Sequence, residues 1–264
     1  MIVFTCTDAF DAMMTCIYDA WSARLGHSNI RLQTEPIEMP ELFCDYRHIE
    51  PDQEKARKVI RSVQKKISPE AYRMVYTAAM SWDKDKLDKI YRFLVVGFAV
   101  GGKVTSMLAS PAVSAVFLMN RKTTNEAHHF KEFVRFSCLE NQVLYSVIEP
   151  QSNVLTLIAP YFCDRMPSEN WMILDKGRKL AAVHPADQNY YLSSLSPEEL
   201  GKIEAEGNRK DPYGSLWKTF FHSVAVEARA NDRCQKNFLP LKFRRNMTEF
   251  HSFQMPGTLP DILF

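Results

Sequence analysis

The sequence is poor in the features that usually announce a function. Its 264 residues carry 33 Lys and Arg against 31 Asp and Glu, a formal net charge of +2. No strong global field therefore draws the chain to nucleic acid or to a membrane, and any such binding must come from local patches. No long apolar run is present. The greasiest stretch, Tyr91 to Val100, contains Arg92 and stops at Gly101-Gly102, well short of the roughly 20 apolar residues that span a bilayer. The six cysteines (6, 16, 44, 138, 163 and 234) are scattered, with no C-x-x-C and no Cys/His spacing suited to structural zinc. Thiols in that arrangement fit a reducing compartment. The opening MIVFTCTDAFDAMM has no basic segment followed by an apolar core, so a cytoplasmic protein is expected. Phosphate loops, G-x-G-x-x-G, G-x-S-x-G and H-E-x-x-H are all missing, as is iron–sulfur cysteine spacing. No cofactor and no metal are expected from these patterns.

What is present describes an ordinary globular chain, 46% hydrophobic and 24% charged, long enough to bury a sizeable core. Residues 1–6 (MIVFTC) read as a short buried strand. Thr7 or Asp8 is placed to cap a helix with Phe10, Met13, Met14, Ile17 and Trp21 on one face, and Ile30 to Glu35 alternates as a second strand. Residues 1–50 thus predict a β-α-β element, and 51–125 predict a run of helices. Ser68-Pro69-Glu70 is a strong helix start; Leu87, Ile90, Tyr91, Leu94, Val95 and Phe98 form the most apolar helix, and Ser110-Pro111 opens another. Residues 126–192 predict a ββαββ antiparallel unit. Its strands are Phe133–Ser137 and Val143–Ile148 around a Glu140-Asn141 turn, then 171–174 and 180–183 around Asp175-Lys176-Gly177. Residues 193–264 predict a second capped helix at Ser196-Pro197-Glu198-Glu199, a loop at 207–214, and a basic, partly aromatic helical tail that loosens from Met255. The expected class is α+β, in one domain spanning 1–264.

The polar residues set among these apolar runs are the candidates for chemistry. His128 and His129 are adjacent, so at most one faces any single site. Arg135 and Glu149 are expected on neighbouring strands, with Arg165 ending the helix that follows. An arginine–carboxylate group of that kind binds phosphate or positions a base, and it serves equally as a structural ion pair. In the tail, Arg229, Arg233, Lys236, Lys242, Arg244 and Arg245 alternate with Phe238 and Phe243, a combination that stacks bases and neutralises phosphates on single strands. It also suits an amphipathic helix packed on a core. Trp217, Phe220 and Phe221 are expected in that core.

Seven stretches in order carry a family resemblance: FDAMMTCIYDAW (10–21), KKISPEAYRMVYTA (65–78), IYRFLVVGF (90–98), EAHHFKEFVRF (126–136), YSVIEPQSNVLTLIAPYFCDR (145–165), WMILD (171–175) and LWKTFFHSVAVEARANDRCQKNFLPLKFRRNMTEF (216–250). With these, the chain resembles a bacterial family described as DNA metabolism proteins. Genes of that family neighbour a radical-SAM DNA modification or repair protein, and a similar domain occurs fused to uracil-DNA glycosylase-like domains. The chain departs from the family pattern at Glu132, where Gly is commoner, and after Glu149-Pro150, where a His often follows.

The resemblance implies an accessory role in DNA repair or modification, with DNA, a radical-SAM protein or a uracil-DNA glycosylase-like protein as partner. Carried over by position, it points to His128, Arg135, Glu149, Arg165, Arg229 and Asn231. The resulting assignment gives His128 and Glu149 catalytic roles. Arg135, Arg165, Arg229, Asn231, Arg233, Lys242 and Arg244 would contact nucleic acid or phosphate. An enzyme acting on a base or phosphodiester is the alternative, and a protein–protein adaptor without nucleic-acid contact is the third reading.

Overall fold

Two parallel strand pairs share the first strand of the chain. In the computed structural model, which describes residues 1–139, 141–207 and 212–250, β1 (Ile2–Cys6) lies between β2 (Ile30–Thr34) and β3 (Asp45–His48), both parallel to it. The β-α-β opening is as its pattern predicts, and β3 is an addition. Its sequence, DYRH, is polar and largely exposed, so it lacks the alternation that marks a half-buried strand. Helix α1 (Phe10–Ser22) starts from Ala9 without a side-chain cap. Asp8, the expected cap, instead pairs with Lys86 at 2.6 Å.

The chain divides into two compact units, one of residues 1–127 with 151–157 and the other of 128–150 with everything from 158 on. In the first, α2 (Gln53–Ser62) is capped by Asp52, which accepts from the amides of Glu54 and Lys55. It runs into a π-helical turn, Val63–Ile67. Ser68 then caps α3 (Pro69–Ala79) by accepting from the Ala71 amide, with Pro69 in the first turn, as the start signal predicts. Helix α4 (Lys86–Val100) buries Leu87, Ile90, Tyr91, Phe93 and Leu94 and ends at Gly101, whose φ of +69° suits glycine. A 3-10 segment, Gly101–Ser106, follows. One core joins α1, β1, β2 and these helices. No single helix among the described residues is long and apolar enough to cross a membrane.

Helix α5 (Pro111–Phe133) is 23 residues long and runs on past the His pair to Phe133, where the first strand of the ββαββ unit was expected to begin. Ala127 and Phe130 are buried at helical spacing, with no Gly or Pro between Pro111 and Phe133 to stop the helix. The expected strand at 133–137 shrinks to β4 (Ser137–Cys138). It pairs antiparallel with β5 (Leu144–Ile148); of the predicted turn, Glu140 lies outside the described residues.

Helix α6 (Leu155–Arg165) then leads to β6 (Trp171–Asp175). β5 and β6 are parallel, which corrects the expected all-antiparallel unit. A helical crossover returns the chain in the same direction, whereas a tight turn reverses it. The hairpin of β6 with β7 (Leu180–His184) is antiparallel as predicted. A fifth strand, β8 (Tyr191–Ser194), extends the sheet to the order β4-β5-β6-β7-β8. Its flanking polar residues hid it in the sequence. Trp171, Phe136 and Phe162 pack edge-on under the sheet, which gives the second unit its own core. The class is α+β.

Helix α7 (Pro197–Gly207) has a reciprocal capping box. The Glu199 amide donates to Ser196 Oγ at 3.2 Å, and the Ser196 amide donates to Glu199 Oε2 at 2.8 Å. Of the expected loop at 207–214, Gly207 ends α7 and Pro212–Gly214 begin α8 (Pro212–Ser223); residues 208–211 lie outside the described residues, as does the segment from 251, including the tail expected to loosen at Met255. Helices α9 (Asp232–Phe238) and α10 (Leu241–Arg244) complete the second unit.

Candidate nucleic-acid interface

Arg135 sits in the short link between α5 and β4, where no strand forms. Its Nε and Nη2 donate to one oxygen of the buried Glu249 carboxylate at 3.1 and 2.9 Å. Its Nη1 donates to the carbonyls of Glu132 and Val134. All three guanidinium nitrogens thereby donate, and Cζ lies 5.8 Å from the centre of the Trp217 ring, close enough for a cation–π contact. Burial alone would raise the Glu249 carboxyl, but hydrogen bonds from its own backbone amide and from Arg135, helped by the Trp217 indole, hold it below the usual carboxylate range.

Glu149 follows β5 and accepts from Arg245 at 2.8 Å. Arg135 and Glu149 therefore each answer a residue of the tail rather than one another. The pocket they line with Phe133, Ile148 and Phe243 has a volume of only about 10 Å³, at the limit for one water. A larger cavity, about 420 Å³, is lined by Arg135, Phe136, Trp217 and Thr248.

His128 is exposed on α5 and faces Glu132 at 3.2 Å. His129 stacks on Phe133 at 5.7 Å and packs against Phe243, so adjacency sends the two rings to different surroundings. Arg165, exposed at the end of α6, lines neither cavity. Asn231 caps α9 by accepting from the Cys234 amide. Arg244 donates to the Leu239 carbonyl and lies 4.7 Å from the Phe250 ring, while its Nη2 is buried without a hydrogen bond. Lys242 covers the Phe243 ring at 4.9 Å. Arg229 and Arg233 are exposed and form no ion pair among the described residues. Among those residues, no group of three or more His, Cys, Asp or Glu is placed to hold a metal ion.

The expectation that α8 buries its aromatics does not hold. Trp217 is 39% and Phe220 53% exposed, with ring centroids 5.9 Å apart and tilted by 32°. Phe221 packs edge-on to Phe250, and Trp217, though part exposed, lies against Arg135. Helical spacing reveals that an apolar face exists; it does not reveal whether anything covers that face.

Residues 84–249 match the family described as a domain of unknown function, DUF4130. The chain belongs to DUF4130. Comparison with the curated proteins found no match. The DUF4130 region takes in α4 to α10 and ends at Glu249, the carboxylate that holds Arg135. Sequence reasoning named Arg245 only as one cation of the basic tail and did not name Glu249, although both fall within the 216–250 stretch that carried the resemblance. Their partners are 114 and 96 residues away, and no local pattern links them.

A second cleft, of about 380 Å³, lies at the carboxyl ends of β1 and β2, the edge at which open parallel sheets bind ligands. Its ions already answer one another. The buried Lys86 ammonium donates to the Ser81 carbonyl and pairs with Asp8, Lys84 pairs with Glu38 and Lys89 with Asp83. Beside it, a hydrogen bond to His48 lowers the Glu35 carboxyl, and the same bond raises His48.

Proposed function

We propose that this DUF4130 protein is an accessory factor of DNA repair or modification that binds single-stranded DNA through α8 and the basic segment after it. The exposed Trp217–Phe220 pair carries the reading. Two neighbouring rings open to solvent form a platform for unstacked bases. Arg229, Arg233 and Lys236 follow within twenty residues, are exposed, and supply the phosphate-neutralising charge. Arg135 and Glu249 fix the edge of the platform, since the guanidinium backs Trp217 and the carboxylate holds the guanidinium. In this reading Arg135 is a positioning residue. The closed volume between Arg135 and Glu149, and the engagement of each by a tail residue, favour a binding module over an enzyme built on those two groups.

A fluorescence-anisotropy titration with a labelled oligothymidine and a matching duplex tests the reading. Binding should favour the single strand, weaken steeply with salt, and fall about tenfold for Phe220→Ala. No binding at low salt, or duplex binding indifferent to Phe220, would overturn it.

A protein partner is the second reading, and one observation favours it. Leu216 (67% exposed), Val224, Phe238 (78%) and Leu241 leave aliphatic as well as aromatic surface open, and aliphatic side chains do not stack on bases. A radical-SAM or uracil-DNA glycosylase-like protein that co-purifies through nuclease treatment, and is lost in Leu216→Glu, would support that docking role.

A further inference from the structure

The first unit contains a cavity that the DNA reading leaves unused. It has a volume of about 360 Å³ and is walled by Tyr18 and Trp21 of α1, Val59 and Ser62 of α2, and Phe98 of α4. Every lining residue except Phe98 precedes residue 84, so the site belongs to the part of the chain outside the DUF4130 match. Its size lies at the lower end of small-molecule pockets, and its wall is apolar with a few polar groups, which is the usual chemistry of such sites.

The wall is rigid. Trp21 meets His27, Tyr91 and Phe98 edge-on at 4.8, 5.8 and 5.3 Å, so the indole is held from three directions. The π-helical turn Val63–Ile67 directly follows Ser62 and carries Lys66 onto the rim. Such turns recur at functional sites because the extra residue widens the helix locally.

The rim is positively charged. Lys58 and Lys66 both line the opening, and neither forms an ion pair among the described residues. The nearest acid of α1, Asp19, is taken by Lys55 at 2.8 and 2.9 Å. No carboxylate lines the cavity. Lys58 Nζ lies 5.9 Å from the centre of the Tyr18 ring, so it already faces the aromatic wall. An apolar slot with aromatic walls and two ammonium groups at its mouth, neither in an ion pair among the described residues, is complementary to a flat ring that carries an anion. Ring faces and edges favour an aromatic guest in offset or edge-on contact, and the ammonium groups favour a carboxylate or phosphate.

We propose that this cavity binds a small aromatic anion, with the ring between Tyr18, Trp21 and Phe98 and the anionic group against Lys58 and Lys66. The site is independent of α8 and of any DNA contact, so it stands or falls separately.

The test uses the full chain and three probes: 2-naphthoate, the uncharged 2-naphthalenemethanol and the aliphatic anion octanoate. Binding is followed by isothermal titration and by the tryptophan fluorescence that is lost when Trp21 is replaced by Phe. Naphthoate should bind saturably below about 1 mM, about tenfold tighter than the alcohol and tighter than octanoate. Lys58→Gln with Lys66→Gln should bring naphthoate to the level of the alcohol while leaving the alcohol unchanged. Both lysines are exposed, so the fold should tolerate the pair, and an unchanged circular dichroism melt verifies that. Ser22→Phe, which plugs the mouth, should abolish all ring binding. Equal affinity for the acid and the alcohol, octanoate as tight as naphthoate, binding that survives Ser22→Phe, or no saturable binding would each overturn the proposal.

Discussion

Arg135 and Glu249 are 114 residues apart in sequence and 2.9 Å apart in space. The carboxylate is buried and the guanidinium about a quarter exposed. This pair ties the link after α5 to the last described turn of the chain, and it sets the edge on which Trp217 rests. Its removal should be asymmetric. Arg135→Ala leaves a buried carboxylate without its partner and should cost about 2–4 kcal/mol. Glu249→Gln leaves a guanidinium that still reaches two carbonyls and some solvent, and should cost about 1–2 kcal/mol. Urea unfolding followed by tryptophan fluorescence measures both; the reverse order would remove the pair from its structural role.

The same carboxylate sets a pH dependence. Glu249 is held below the usual carboxylate range in the folded protein, so its contribution is complete above the unfolded value, near pH 4.5, and is lost as pH falls through the folded value. Melting curves from pH 7 to pH 3 should therefore show the wild type losing its advantage over Glu249→Gln only in the acid range. A constant gap would mean that the charge is not what stabilises.

Tyr91 works at the opposite end of the scale. Its hydroxyl meets His27 Nδ1 at 2.7 Å, and burial is the main cause pushing the phenol up to about 12 from its ordinary 10.0. The protonated form is the one the fold accommodates, so stability should hold below pH 10 and decline as pH rises toward 12. Tyr91→Phe should weaken that alkaline decline, at the cost of the hydrogen bond at neutral pH.

Close packing of α4 on the π-helical turn gives a steric prediction. A Cβ added at Gly97 would lie 2.7 Å from Ile67 Cδ1. Gly97→Ala should destabilise by about 1–3 kcal/mol through overpacking, and adding Ile67→Val, which removes that methyl, should recover part of the loss. Thermal denaturation of the single and double variants decides it.

For the platform, stacking and charge should separate in salt titrations. Phe220→Ala should weaken single-strand binding at every salt concentration and leave the slope unchanged. Arg233→Ala should lower the slope of log affinity against log salt by about 0.7. Trp217→Ala is less informative, because Trp217 also supports Arg135.

Local chemistry made much of the fold legible. Ser68 and Ser196 each cap the helix they precede, since a short oxygen-bearing side chain satisfies end amides whatever surrounds it. The β6–β7 hairpin was legible for the same reason, because Asp175 closes its own turn by accepting from the Arg178 amide. Polar strands β3 and β8 were not legible. Their pairing depends on neighbours brought in from elsewhere, and their own residues carry no burial signal.

The candidate site divides along the same line. By itself the sequence determined that residues 216–250 mix aromatic and basic side chains, and that Arg135 and Glu149 interrupt apolar runs. Only the tertiary structure decided that Arg135 answers Glu249, that Glu149 answers Arg245, and that Trp217 and Phe220 stay open to solvent. Ion pairing and burial depend on distances between segments far apart in the chain, which periodicity over a few residues does not encode.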